Sequence, residues 1–349
     1  MSPFAKANAH MPLAPLPRPA KPKTSEGMGR DGRRASPQDL TGLWRPRFAI
    51  SPQTPIATYG TCFAQSIGPA LRKRGYTWVN AEPPAGPSPI ANRAFHYGLY
   101  SSRTGPIATP TLLAQWVRWA AGRENPPDAV WKTKGSFQDA FRPGIEPDGF
   151  ATRKEARHSR RTALSAFTSS VETAEVLWVT LGAIEHWHDE RTGMVYPASP
   201  KRMKNFQNVD QVTRATPGIA DTLETLSEAT ELLRKVNPKI SVLLSVSPTR
   251  VEPVQSGQHV LAATMHAKSV LRTACAELVN SLSYVDYLPA YEVLTAPSMS
   301  DQALTPERHK VTDQGVTAIV DHFIAAQNDD QTSKTAGKMA RVAAVWGAQ

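Results

Sequence analysis

Two short runs constrain the fold most. Residues 174–182 read AEVLWVTLG and residues 239–248 read KISVLLSVSP. Both are almost continuously apolar, where a half-exposed strand would alternate, and that pattern belongs to strands covered on both faces in a parallel sheet. A third strand is expected at 55–60, PIATYG, running through a sharp turn into an amphipathic helix at 64–75 that Gly75 closes. Apolar periodicity places further helices at about 110–121, 152–169, 219–235, 258–279 and 312–326. Strands alternating with helices of this length give a three-layer α/β/α sandwich around a mostly parallel sheet. Open sheets of that kind place their sites beyond the carboxyl ends of the strands.

The flanks read differently. Residues 1–40 hold seven prolines and little apolar periodicity, so they cannot bury enough surface to offset chain entropy. They are expected to be a disordered basic arm, followed by one domain over 41–326 and a polar, partly helical tail over 327–349. Of the formal charge of +10, much sits at this end, because residues 1–50 carry nine basic residues against three acidic ones. A nucleic-acid binder would hold such charge on a folded face with aromatic residues interleaved, so no nucleic-acid partner is expected. No run approaches the ~18 apolar residues of a spanning helix, and none has the form of a secretory signal. The two cysteines, Cys62 and Cys275, are too few for a disulfide framework, which leads us to expect a cytoplasmic protein.

Chemistry concentrates where the first strand turns into the first helix, at Gly60-Thr61-Cys62-Phe63-Ala64. A thiol at the positive end of a helix dipole is favoured as thiolate, and free N–H groups beside it can hold a developing oxyanion. On spacing alone, Cys62 reads first as a small core residue. Cys275, within LRTACAEL, is expected in the core. His186 and His188 share one face of an extended segment, but no third metal ligand is visible, so no metal is expected. Neither a phosphate-cradling glycine loop nor a metal cluster is present, and no cofactor is expected. The cluster Arg153, Lys154, Arg157, Arg160 and Arg161 reads as a solvated helical face.

The Gly60–Ala64 pentapeptide resembles the defining motif of the GSCFA family, and the likeness continues in order along about 41–326. It takes in TPTLLAQWVRW at 109–119, Asp139-Ala140-Phe141-Arg142-Pro143 with Pro147 and Gly149, and Thr180-Leu181-Gly182 with Glu185 and Trp187. Phe206-Gln207-Asn208, Ser245-Val246-Ser247-Pro248, His259 with Lys268, 287–292 (YLPAYE) and Arg308-His309 complete it. That family is similar to the SGNH (GDSL-type) hydrolases. The resemblance implies that Cys62 attacks, with Thr61 as the alternative nucleophile, and that His309 is the base. The Asp of the SGNH pattern is replaced by Pro306, so Glu307, or failing it Asp301, is expected to orient the imidazole. The oxyanion and substrate-binding region is assigned to Gly60, Gly105, Gly182, Glu185 and Ser247. Arg142 is placed there too, although an ion-pair role suits it better. Pro106 and Ile184 stand where the SGNH pattern supplies polar donors.

The expectation is an SGNH-like esterase or acyltransferase that handles a small-molecule or glycan ester through a covalent acyl-enzyme. The alternative is a catalytically degenerate SGNH-fold domain that binds a glycan or a protein.

Overall fold

The computed structural model describes residues 40–328, apart from 41, 85, 134, 200–211 and 253–256. The expected arm, but for Leu40, most of the expected tail, and the Phe206-Gln207-Asn208 motif lie outside the described residues. Compactness divides the chain at residues 36 and 37, and the fold below is that of the second unit.

The central sheet holds four parallel strands, β1 (Ile56–Gly60), β4 (Val176–Leu181), β8 (Ser241–Val246) and β9 (Val285–Tyr287), in the order β1-β4-β8-β9. On the free side of β1 the chain returns at 77–79, where Trp78 makes a parallel bridge to Ile56. With that segment as an outer edge, the strands follow the doubly wound order 2-1-3-4-5, whose direction reverses between β1 and β4. The gap at the carboxyl ends of those two strands is where such sheets bind ligands.

Both faces of the sheet are covered, as the apolar runs require. Ala57, Tyr59, Leu177, Val179, Leu181, Val242, Leu244 and Val246 point into a core shared with α3 (Pro110–Ala120), α4 (Arg153–Thr173), α5 (Ile219–Val236) and α6 (Val260–Ser281). Ile56, Val176, Trp178 and Leu243 point the other way, toward α1 (Ala64–Lys73), α7 (Ala290–Thr295) and a closing helix over 313–328. This is the three-layer α/β/α sandwich expected from the sequence, and each expected long element falls within four residues of its observed ends.

The smaller elements are α2 (Pro89–Ala94), α8 (Ser300–Ala303), a hairpin of β2 (Val130–Lys132) with β3 (Phe137–Asp139), and an antiparallel sheet ordered β6-β5-β7. In that sheet β5 (His186–Asp189) lies between β6 (Val195–Tyr196) and β7 (Val212–Ala215). It is pinned to α3 by Gln115, whose amide donates to the Val195 carbonyl at 2.9 Å and accepts from the Val195 N–H at 2.8 Å.

Candidate functional site at the carboxyl edge of the sheet

Gly60 ends β1 with φ +137°, and a side chain there would place its Cβ 2.2 Å from the Thr180 carbonyl oxygen. Only glycine allows this approach of β1 to β4. The Thr61 N–H still donates to Thr180 O at 3.0 Å, after which the chain turns and α1 begins, with Ala64 N–H donating to Thr61 O at 2.9 Å. Phe63 is buried in the core and anchors the turn, while Cys62 is exposed. The N–H groups of Cys62 and Phe63 donate to no protein acceptor among the described residues. They are the orphan donors of a helix start. Thr61 faces inward, and its buried Oγ1 has no hydrogen-bond partner.

A second wall is the segment 99–109. Ser101 N–H donates to Thr58 O at 3.2 Å, Ile107 N–H to Gly60 O at 2.9 Å, and the Tyr100 hydroxyl to Thr61 O at 3.1 Å. Burial pushes the Tyr100 hydroxyl well above the usual phenol range, so it stays a neutral donor. Gly105 adopts φ +69°, and its N–H has no protein partner among the described residues.

Gly182 differs from its expected oxyanion role. Its N–H donates to Ala108 O at 2.9 Å, which leaves that donor unavailable to a ligand, and its carbonyl accepts from Lys268 Nζ at 2.6 Å. Packing explains the glycine, because a Cβ would lie 2.4 Å from Thr61 Cγ2. Ser247, on the next strand exit, is also buried, with its hydroxyl 3.0 Å from Thr249 Oγ1. Glu185 pairs with Arg214 at 3.3 Å, and Ile184 is buried.

Arg142 is a buried brace. It reaches Asp139 at 2.7 Å, the Arg103 carbonyl at 3.1 Å and Ser159 at 3.0 Å, which accounts for its guanidinium and leaves the ion-pair reading in place. Asp139 also pairs with Arg160, which the sequence placed on a solvated face and the fold buries. Arg103, the residue that Arg142 holds, binds Glu146 at 2.7 Å, and its N–H donates to Glu82 at 2.8 Å. The Asp-Ala-Phe-Arg-Pro segment thus fixes the wall at 99–109.

His309 lies on a loop closed by the Leu304–Val311 bridge and tethered to the exit of β8, where Arg250 N–H donates to Arg308 O at 2.9 Å. Arg308 is held at φ +54°, a costly conformation for a side-chain-bearing residue. Glu307 Oε2 lies 3.4 Å from His309 Nδ1, so the carboxylate two residues back is beside the ring, and Thr305 Oγ1 stands at the same distance. Asp301 faces Arg308 instead, at 3.9 Å. No hydrogen bond joins His309 to Cys62 among the described residues.

Lys268 is named from the sequence only within the family resemblance and is given no role there. It occupies the buried face of α6 with Ala267, Leu271 and Cys275 and is 3% exposed, and its Nζ crosses to the end of β4. Burial lowers its amine to about 7, and the Cys62 thiolate acts in the opposite direction. A lysine inside an apolar helical stripe was the available signal. His186 and His188 form no metal cluster among the described residues, where His188 Nε2 lies 3.2 Å from Thr213 Oγ1. His186 is held near 4 by burial and stays neutral.

No helix among the described residues is long and apolar enough to cross a membrane. No curated protein matches the chain. Comparison with known families matches residues 55–323, a span that begins one residue before β1 and takes in the motif turn, the Lys268 helix and the His309 loop. The chain therefore belongs to the GSCFA family.

Proposed function

We propose that this protein is an SGNH-like acyl-transfer enzyme acting on an ester, such as an acylated sugar, with Cys62 as its nucleophile. One observation carries the reading. An exposed thiol stands at the start of α1, at the strand-order reversal, beside two backbone N–H groups with no protein partner. Thr61 suits the role less, since its hydroxyl oxygen is buried. In the proposed reaction the Cys62 sulfur bonds to the carbonyl carbon, and the N–H groups of Cys62 and Phe63, with that of Gly105, hold the oxyanion. The carbon–oxygen bond then breaks, and His309, held by Glu307, protonates the departing alkoxide. Water or an acceptor hydroxyl next gives its proton to His309 and takes the acyl group, which restores the thiolate. With two thiols and no expected disulfide, the setting proposed is the reducing cytoplasm.

A second reading, a degenerate SGNH-like binding domain for a glycan or protein, has its own support. Gly182 N–H is committed to Ala108, Pro106 and Ile184 offer no side-chain donor, and no hydrogen bond among the described residues links Cys62 to His309. Intact-mass measurement after brief exposure of the full chain to p-nitrophenyl acetate separates the two. The enzyme reading expects an acetyl adduct on Cys62 that turns over and is absent from Cys62→Ala. Alkylatable Cys62 that never acetylates would favour the binding domain.

A further inference from the structure

At the carboxyl edge Lys268 is a buried cation that the proposed reaction does not use. We infer that Lys268 is the positioning residue for the charge on Cys62, a buried ammonium that holds the nucleophile as thiolate from beneath the β4 exit. This rests on the reading of Cys62 as nucleophile.

Three observations converge on it. Lys268 is almost wholly buried, yet among the described residues it has no carboxylate partner. Its Nζ is fixed at 2.6 Å on the Gly182 carbonyl, whose own residue packs on Thr61, the neighbour of Cys62. Buried ammonium groups are ordinarily paired, and a carbonyl supplies only a partial charge. A charge on Cys62 opposes the effect of burial on the amine. The end of β4 presents uncharged Gly182 and Ala183, and the β8 exit presents Ser247 and Thr249. Beyond them Arg250 pairs with Glu252 at 2.5 Å, and lower on α6 Arg272 pairs with Glu292 at 2.6 Å. His266 is exposed. A negative charge on the exposed Cys62 would account for a lysine that the fold otherwise buries at a cost.

The test is the pH dependence of iodoacetamide alkylation of Cys62 in the full chain carrying Cys275→Ser, with melting temperature read alongside. In Lys268→Met we expect alkylation at pH 7 to slow about tenfold and its inflection to move to higher pH, since each pH unit lost from thiol ionisation is tenfold in thiolate. Lys268→Arg, which keeps the charge, should recover most of the rate. A folded Lys268→Met protein with the parent's profile would overturn the inference while leaving Cys62 as nucleophile. A parent whose Cys62 never forms the acetyl adduct overturns the acyl-transfer reading instead, whatever Lys268 does to alkylation. If Lys268→Met does not fold, Cys62→Ser reads the same coupling from the other side. Without the thiolate, Lys268 should release its proton at lower pH, so the pH at which stability begins to rise should fall relative to the parent. No change in that onset would also sink the pair.

Discussion

Two of the places where the protein buries charge treat it in opposite ways. Beneath the wall at 99–109, Asp139 lies between Arg142 and Arg160, Arg103 lies between Glu82 and Glu146, and the remaining guanidinium nitrogens reach carbonyls or hydroxyls. At the carboxyl edge, Lys268 has only a carbonyl, Thr61 Oγ1 has nothing, and the helix-start N–H groups are open. The contrast separates two uses of polarity. A buried network that serves the fold closes on itself, because each unpaired group costs desolvation free energy. A site that serves a ligand leaves groups unspoken for, at a cost the rest of the fold carries.

The comparison can be broken hardest at Asp139. Asp139→Ala leaves Arg142 and Arg160 without their shared anion, and removing one partner of a buried pair costs about 3–5 kcal/mol, readable by urea denaturation. Lys268→Met should act in the reverse direction. The unfolded chain keeps this proton to near pH 10.5 and the fold only to about 7, so between those values the unfolded state binds more protons and stability rises with pH. Below about 7 the cost of the buried charge is fully present, and the variant should there exceed the parent by a few kcal/mol, on the order set by about 1.4 kcal/mol per pH unit. Cys275, pushed up to about 12 by burial, lowers stability as pH climbs past the usual thiol range, so the parent-minus-variant difference isolates Lys268. A difference that stays flat with pH would put Lys268 back among the satisfied groups.

Gly182→Ala comes next. Its Cβ would press on Thr61 Cγ2, and overpacking of this kind costs about 1–3 kcal/mol. Cys62 alkylation should fall more steeply than stability, since the displaced residue is its neighbour. The smallest effect is expected at the surface, where Arg157 meets Asp128 at 3.0 Å with both side chains more than two-fifths exposed. Arg157→Ala should change stability by less than about 1 kcal/mol, and the loss should shrink with added salt. A larger loss would mean that this pair belongs to the Asp139 network.

How much could be read without coordinates depended on whether a signal was local. The buried strands at 174–182 and 239–248 and the long helices announce themselves in consecutive residues, and the turn holding Cys62 could be located because strand, glycine and helix adjoin. The short β5, β6 and β7 carry too few residues for a period to register, and their pairing depends on α3. Arg160 looked solvated because its helix carries several charges, and burial came from Asp139, twenty-one residues away in sequence. Lys268 stood in plain view within an apolar stripe, but the meaning of that stripe depended on what lay across from it.

The sequence by itself determined the layers, the parallel sheet and the position of the turn at Cys62, because apolar periodicity and helix starts are set by neighbours in the chain. The tertiary structure alone decided which polar groups close on one another and which stay open at the carboxyl edge. Lys268 reaches Gly182 across 86 residues, and Arg142 reaches the Arg103 carbonyl across 39. Desolvation acts on a group only once distant segments have removed its water, and that event has no record in any local run of residues.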